Sequence, residues 1–573
     1  MSVLEDTSAH MLKGKRRRRS SNAAHRSRQQ PASADFFTQQ RFEEIAFIGL
    51  LITLSTMPFF YGGNRDWVWG CFLALTCAVS VLLIWTVPIV KRLASVGVHR
   101  RRPWLLVFLG LWFLLNLAHC WSWNGSSFSA DRAASIRSLL KTSLYLQLIL
   151  QTLILAQTHR RLKHLFHVLF LVAVLHAVCA SIVKLWGLRF ASEFFVFGIG
   201  GGSAFINENS FAGYLELHLA IGAGLLVAGL RFRGAGTQSW RQLARDWVSL
   251  LLARKTQVRI CMVLLVVALV LTGSRMGNVA FFVALLGTGT LAYFFMATRP
   301  PALGALLISL VLVDLVVVGS WFGADQIAAR LAVTRIELTD NTQPPSKFLA
   351  SDTEKTVREP SDTLAQPVAF ELDRERPGVA RAALKLFAQA PLLGHGGGSF
   401  RTIFPPMRTA ELSNKFYDHA HNDYAQILAE YGLVGAAIIF AMLTLAFICA
   451  FNALRKRSDK LSVGAAFTGL FGMSALLLHA VADFNFQIPA NAAIFSALVA
   501  ICWISYYGLR DLAKANNSAI SSSDMQVSGM KGAGIKGSGI KGPEMKGSAV
   551  PSSGVLDSNL RFSPSTVIPA VPA

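Results

Sequence analysis

Runs of about 20 apolar residues recur along this chain, and a run of that length has few ways to fold. As a helix rising ~1.5 Å per residue it matches a hydrocarbon layer of roughly 30 Å. In lipid the backbone must satisfy its own hydrogen bonds, so helix is the form such runs take. We read twelve of them, near 45–61, 67–90, 104–121, 138–157, 165–186, 211–230, 260–273, 277–297, 303–322, 433–453, 463–482 and 490–507. The expected fold is all-α: a polytopic transmembrane helical protein of about 12 spans, with one long helical periplasmic loop. Composition agrees. The chain is 15% charged, where about 25% is usual for soluble proteins.

Charge supplies the orientation. With the N-terminus in the cytoplasm, the loops 91–103, 158–164, 231–259, 298–302 and 454–462 hold 20 Lys and Arg residues. The short loops on the other side hold 5. Positive residues gather on the cytoplasmic side of membrane proteins, so both termini are expected there. The same bias accounts for the net charge of +23, and no nucleic-acid partner is expected; membrane lipids are. The seven cysteines form no CxxC pair. They lie in or beside apolar runs, as small buried side chains do, and suggest neither a disulfide frame nor a metal site.

The spans divide the chain. Residues 1–44 are basic and without periodicity, and read as a disordered cytoplasmic N-terminus. The basic stretch Lys13 to Arg19 is too far from the first apolar run, near Ile45, for a cleaved signal peptide, so that span is read as an uncleaved anchor. Residues 45–322 carry spans one to nine, 323–432 a large periplasmic loop, and 433–507 spans ten to twelve. Residues 508–573 form a low-complexity cytoplasmic tail in which Lys-Gly recurs at Lys531, Lys536, Lys541 and Lys546. Within the large loop, 339–369 reads as a flexible insertion. A helix is expected from Pro377 through Ala390, ended by Pro391. Gly394 to Ser399 is read as a turn that lets backbones approach closely. A second helix is expected from His421, with His421, Tyr424, Leu428 and Tyr431 on one face.

Polar groups collect on the external side. Asp418-His419-Ala420-His421-Asn422-Asp423-Tyr424 stands just before span ten, and titratable groups at the edge of a hydrocarbon span are costly to hold there. Arg275 sits at the tip of the hairpin Gly273-Ser274-Arg275-Met276-Gly277. Asn207 and Asn209 precede span six, Asp483 follows span eleven, and Arg376 and Arg381 lie at the loop helix. Taken singly, each fits a plainer role. A loop histidine is usually solvated, and an arginine at a span end usually anchors the interface. Asp314 and Glu216, inside spans, fit an interhelical hydrogen bond as well as a functional role.

Four segments, in order, resemble the O-antigen ligase and polymerase family of bacterial membrane glycosyltransferases. They are Asn207-Glu208-Asn209 before a span; Ser274-Arg275-Met276-Gly277; Arg376 through Pro391-Leu392-Leu393-Gly394; and His421-Asn422, nine residues, then Gly432 and Gly435. The resemblance implies transfer of a saccharide from undecaprenyl diphosphate to an acceptor hydroxyl at the periplasmic face of the bacterial inner membrane. It implies that His421 activates the acceptor, and that Arg275 and Arg376, with Arg381 as rival, bind the diphosphate. Asn207, Asn209, Asn422, Asp483, Gly432 and Gly435 are supporting residues. These types suit that chemistry. A guanidinium fork matches phosphate oxygens and stays charged, and an imidazole takes a proton near neutral pH. No DxD-type pair stands in the external loop, so no metal and no cofactor is expected. The acceptor stays open: lipid A core, another glycan (a polymerase), or a protein hydroxyl (an O-oligosaccharyltransferase). A transporter is the alternative of another class, a scaffold the third; a transporter would pair polar residues at mid-membrane between repeated halves.

Overall fold

The computed structural model describes residues 31–86, 89, 93, 103–123, 126–191, 196–198, 202–230, 256–296, 303–304, 307–309, 312, 366–408 and 417–507. The expectations for residues 1–30, for most of span nine with Asp314, for most of the insertion and for the tail 508–573 lie outside them. In order the helices are α1 Pro31–Thr56, α2 Asp66–Thr86, α3 Trp104–His119, α4 Arg132–Leu155, α5 His159–Leu185, α6 Glu208–Ala228, α7 Thr256–Thr272, α8 Arg275–Phe295, α9 Gln366–Gln389, α10 Phe400–Ile403, α11 Asp423–Lys456, α12 Lys460–His479 and α13 Pro489–Tyr507. Two-residue strands pair as small hairpins, β1 Ser122–Trp123 with β2 Ser126–Ser127 and β3 Phe190–Ala191 with β4 Val196–Phe197. Among the described residues, nine helices are long and apolar enough to cross a membrane, and α3 and most of α7 are shorter apolar helices. The chain is an all-α, multi-pass membrane protein.

Several helices begin before their apolar runs, because a polar residue caps them. Asp131 accepts from the Ala134 amide at 2.9 Å and starts α4 six residues ahead of the expected span. Thr158 does the same for α5 through the Arg161 amide at 3.2 Å. A side-chain acceptor at this position satisfies an amide that the helix leaves unpaired. The hairpin between α7 and α8 is as tight as expected. Gly273 turns it at φ 75° and Ser274 caps α8 by accepting from the Gly277 amide.

At the centre stand α6, α12 and α13. For α6 and α13, 89% of the apolar window is buried, against 22% for α11. Small residues bring α6 and α12 together: a methyl group on Gly224 would strike Thr468, and one on Gly464 would strike the Gly224 carbonyl. Without a hydrophobic drive between helices in lipid, this close backbone approach is what packing gains from glycine.

The external loop differs from expectation in two places. Helix α9 runs from Gln366, so Pro377 lies inside it rather than in its first turn. Proline removes one internal hydrogen bond, but the helix persists and its C-terminal half buries Val379, Ala383 and Leu386 at helical spacing. That face packs with Phe400, Phe404, Tyr417, Ala420, Ala425 and Ala429 as a second, smaller hydrophobic core. The second helix starts at Asp423, not His421, and leads into span ten across a break at Gly432. His421 stands outside it at φ 50°, so the expected shared face with Tyr424, Leu428 and Tyr431 does not form.

Candidate functional site

The short turn Ala480–Ile488, between α12 and α13, is where distant parts of the sequence meet. Helix α11 is fastened to it first. The Asp423 amide donates to the Ala480 carbonyl at 3.0 Å. The Asp423 carboxylate, 1% exposed, accepts from the Phe486 amide at 3.0 Å and the Gln487 side chain at 3.2 Å. Asn422 caps α11 through the Ala425 amide at 2.9 Å and donates to the Val481 carbonyl at 2.8 Å. The signature's amide residue is therefore both a cap and a clamp.

His421 is set by this anchoring. Its positive φ is uncommon outside glycine, although histidine tolerates it better than most residues. The ring meets Phe484 edge-on at 4.9 Å, and His419 stacks on the same phenyl ring at 4.7 Å. The two imidazoles differ in environment. Burial pushes His419 down to about 3, with the Lys141 and His421 charges adding to it, so it is neutral at physiological pH. His395 is also engaged, its Nε2 2.9 Å from the Leu386 carbonyl.

Arg376 reaches the same turn from α9. One guanidinium nitrogen donates to the Ala482 carbonyl at 3.3 Å and lies 3.6 Å from the Asp483 carboxylate. Asp483 is 1% exposed. Arg381, five residues on, is exposed and makes no ion pair among the described residues. The turn thus takes up Arg376 and leaves Arg381 apart.

The first two sequence segments arrive through α6 and α8. Asn207 caps α6, accepting from the Asn209 amide at 2.7 Å, and Asn209 is buried. One turn later the Ser210 carbonyl accepts from Asn491 at 2.8 Å, and Asn491 also donates to Asn485 in the turn at 3.1 Å. Glu216, flagged as costly in a span, is fully buried and bonds His479 at 2.7 Å. Its interhelical hydrogen bond therefore exists, between α6 and α12. The same carboxylate lies about 3.1 Å from where a Cβ on Gly277 would stand, so the first turn of α8 rests on it. Arg275, at the head of that turn, is exposed and has no ion pair among the described residues.

The signature glycines have a conformational cause. Gly432 has φ 63° and ψ −164°, a region essentially closed to other residues. The chain breaks its helix there, and the Leu433 and Val434 amides donate instead to the Pro391 and Leu392 carbonyls at 2.8 and 3.1 Å. A Cβ on Gly432 would collide with the Leu392 carbonyl. Gly435 lies against Tyr431 and Leu115. The turn Gly394–Ser399 does approach closely: a Cβ on Gly394 would strike the Glu430 backbone, and the Gly396 amide donates to the Glu430 carbonyl at 2.9 Å.

Sequence reading passed over Gln426, Glu430, His479 and Lys141. The signal was present for two of them. Gln426 and Glu430 sit four apart inside the signature's nine-residue spacer, polar side chains on a helix leading into an apolar run.

Below the turn, an apolar cavity of about 460 Å³ lies between α8, α11 and α12. Tyr424 and Val481 line it beside the anchored segment, and Val283, Leu291, Phe447 and Leu470 line it among the spans. Among the described residues no group of three or more His, Cys, Asp or Glu is placed to hold a metal ion.

A family model described as O-antigen ligase matches residues 260–440, from α7 through the first part of span ten. No curated protein matches the chain.

Proposed function

We propose that this chain, whose residues 260–440 belong to the O-antigen ligase family, moves a saccharide from a polyprenyl diphosphate to an acceptor hydroxyl at the periplasmic face of the inner membrane. The family implies a glycosyltransferase of the ligase or polymerase kind; the donor, the side and the residues are our reading. One observation carries it. His421, Arg376 and Asp483, far apart in sequence, gather on the turn Ala480–Ile488, and an apolar cavity opens beside that turn.

The chemistry follows from the parts. The acceptor oxygen attacks the anomeric carbon as its proton passes to His421. The bond from that carbon to the diphosphate oxygen breaks, and the leaving group takes the electron pair. Arg376, held by Asp483, and Arg275, exposed at the head of α8, offset the negative charge as it develops. The proton on His421 then leaves to water or to the released diphosphate. His419 is a poor base, because burial disfavours the charged ring that taking up a proton would create. The cavity between α8, α11 and α12 suits part of the polyprenyl tail. The transporter reading gains no support from Glu216 and His479, because His479 is the last residue of α12, next to the turn.

The test is direct. Purified protein, supplied with a defined lipid-linked oligosaccharide and separately with lipid A core, a second lipid-linked glycan and a Ser/Thr-rich peptide, should form one transferred product. No product with any acceptor, from a folded preparation that binds the donor, would overturn the reading.

A further inference from the structure

Two buried polar side chains outside the reacting set are tied to the segment that carries His421. Gln426 and Glu430 lie one turn apart on α11, 1% and 2% exposed. The Glu430 carboxylate accepts from the Gly398 amide at 2.9 Å, the Phe400 amide at 3.2 Å and the Gln426 side-chain nitrogen at 3.0 Å. Gln426 then accepts from the Ala420 amide at 3.1 Å, and its nitrogen lies 3.3 Å from His419 Nδ1.

The directions of these bonds are fixed by chemistry. Three N–H donors face the two oxygens of Glu430, which leaves the group acting as an acceptor only, as an ionised carboxylate does. It therefore turns the NH₂ end of Gln426 toward itself and the oxygen toward Ala420. The second hydrogen of that NH₂ points to His419 Nδ1, which must be a bare acceptor, so Nε2 of His419 holds the ring proton. Ala420 immediately precedes His421, whose φ is 50°. On the other side of His421, Asn422 and Asp423 are bound to Val481 and Ala480. The strained residue is thus held from both flanks.

We propose that Gln426 and Glu430 are positioning residues for His421: Glu430 orients the Gln426 amide, and Gln426 holds the Ala420 peptide and with it the backbone that aims the His421 ring. This rests on the reading of His421 as the base. It also explains why the turn Gly394–Ser399 packs on α11 so closely. Its Gly398 amide, with that of Phe400 beyond it, supplies two of the three donors that hold Glu430 in place.

The experiment measures kcat and KM for a lipid-linked oligosaccharide donor in Gln426→Ala, Gln426→Glu, Glu430→Gln, the double exchange Gln426→Glu/Glu430→Gln, and His421→Ala, each checked for folding by its melting temperature. A misaimed base slows the chemical step and spares donor binding. Gln426→Ala should lower kcat about 10-fold or more, with KM within about twofold. Gln426→Glu alone sets two carboxylates together and should do the same. The double exchange restores a donor facing an acceptor, and the bond to Ala420, so its kcat should exceed that of Gln426→Glu by about threefold or more. Wild-type kcat in Gln426→Ala beside an inactive His421→Ala would overturn the positioning role and leave the base standing. Activity in His421→Ala would overturn the base itself. Loss in Gln426→Ala that follows loss of folded protein, or a rise in KM without rescue by the exchange, would reduce the pair to scaffold and overturn the proposal.

Discussion

The Arg376 guanidinium lies 3.6 Å from the carboxylate of Asp483, which stands far along the chain, and it donates to the carbonyl of the neighbouring Ala482 at 3.3 Å. Helix α9 is thereby docked on the turn that also anchors His421. On the proposed reading, a charge held by an already buried carboxylate is placed in advance for the leaving diphosphate.

Arg376 and Arg381 therefore separate under substitution. Arg376→Ala should lower transfer by about 10-fold or more, since it removes a preorganised cation and leaves Asp483 buried without its partner. Arg381→Ala should stay within about threefold of the wild type. Equal losses in a transfer assay would mean that the ion pair does not select between them. Arg275→Lys keeps the charge and loses the fork, so activity should fall sharply while expression holds; wild-type rates would make Arg275 an interfacial anchor.

The three histidines differ in what their loss should do. His421→Ala should lower turnover by roughly 100-fold, the usual scale for removal of a general base. His395→Gln should keep most of its activity. Strong loss there, with His421→Ala active, would move the base.

His419 should be legible in the pH dependence of stability. In the unfolded chain a histidine titrates near 6.5, whereas burial holds folded His419 down to about 3. Between those values the unfolded state takes up a proton that the folded state refuses. Stability is thus fully present above about pH 6.5 and lost as pH falls toward 3. In detergent, the melting temperature should fall from pH 6.5 to 4.5 more steeply for the wild type than for His419→Gln. Parallel curves would place His419 in a wetter setting.

Gly432→Ala should destabilise by about 1–3 kcal/mol from its backbone alone, before its clash with the Leu392 carbonyl is counted. Melting and transfer should fall together. An unchanged melting temperature would mean that the helix break can move to another residue.

Orientation is open to labelling. With the exposed native Cys71 and Cys77 replaced, Ser351→Cys should react with an impermeant maleimide from the periplasmic side, and Ser239→Cys only after the inner membrane is opened. The reverse pattern would put the site in the cytoplasm.

The sequence by itself determined that this is a bundle of membrane-crossing helices, because in lipid an apolar run of span length must close its own hydrogen bonds. Its motifs were visible too, since Asn207, Ser274 and Asn422 are local caps and Gly432 a local break, and such signals act within a few residues. What only the tertiary structure decided is which groups meet. Arg376 rather than Arg381 reaches Asp483, Glu216 finds His479 across α6 and α12, and the Gln426 amide joins Glu430 to the segment of His421. The register of one helix against another, and the side of a turn on which a ring comes to rest, follow from packing many residues at once. Spacing along the chain carries no record of that until the helices are in place.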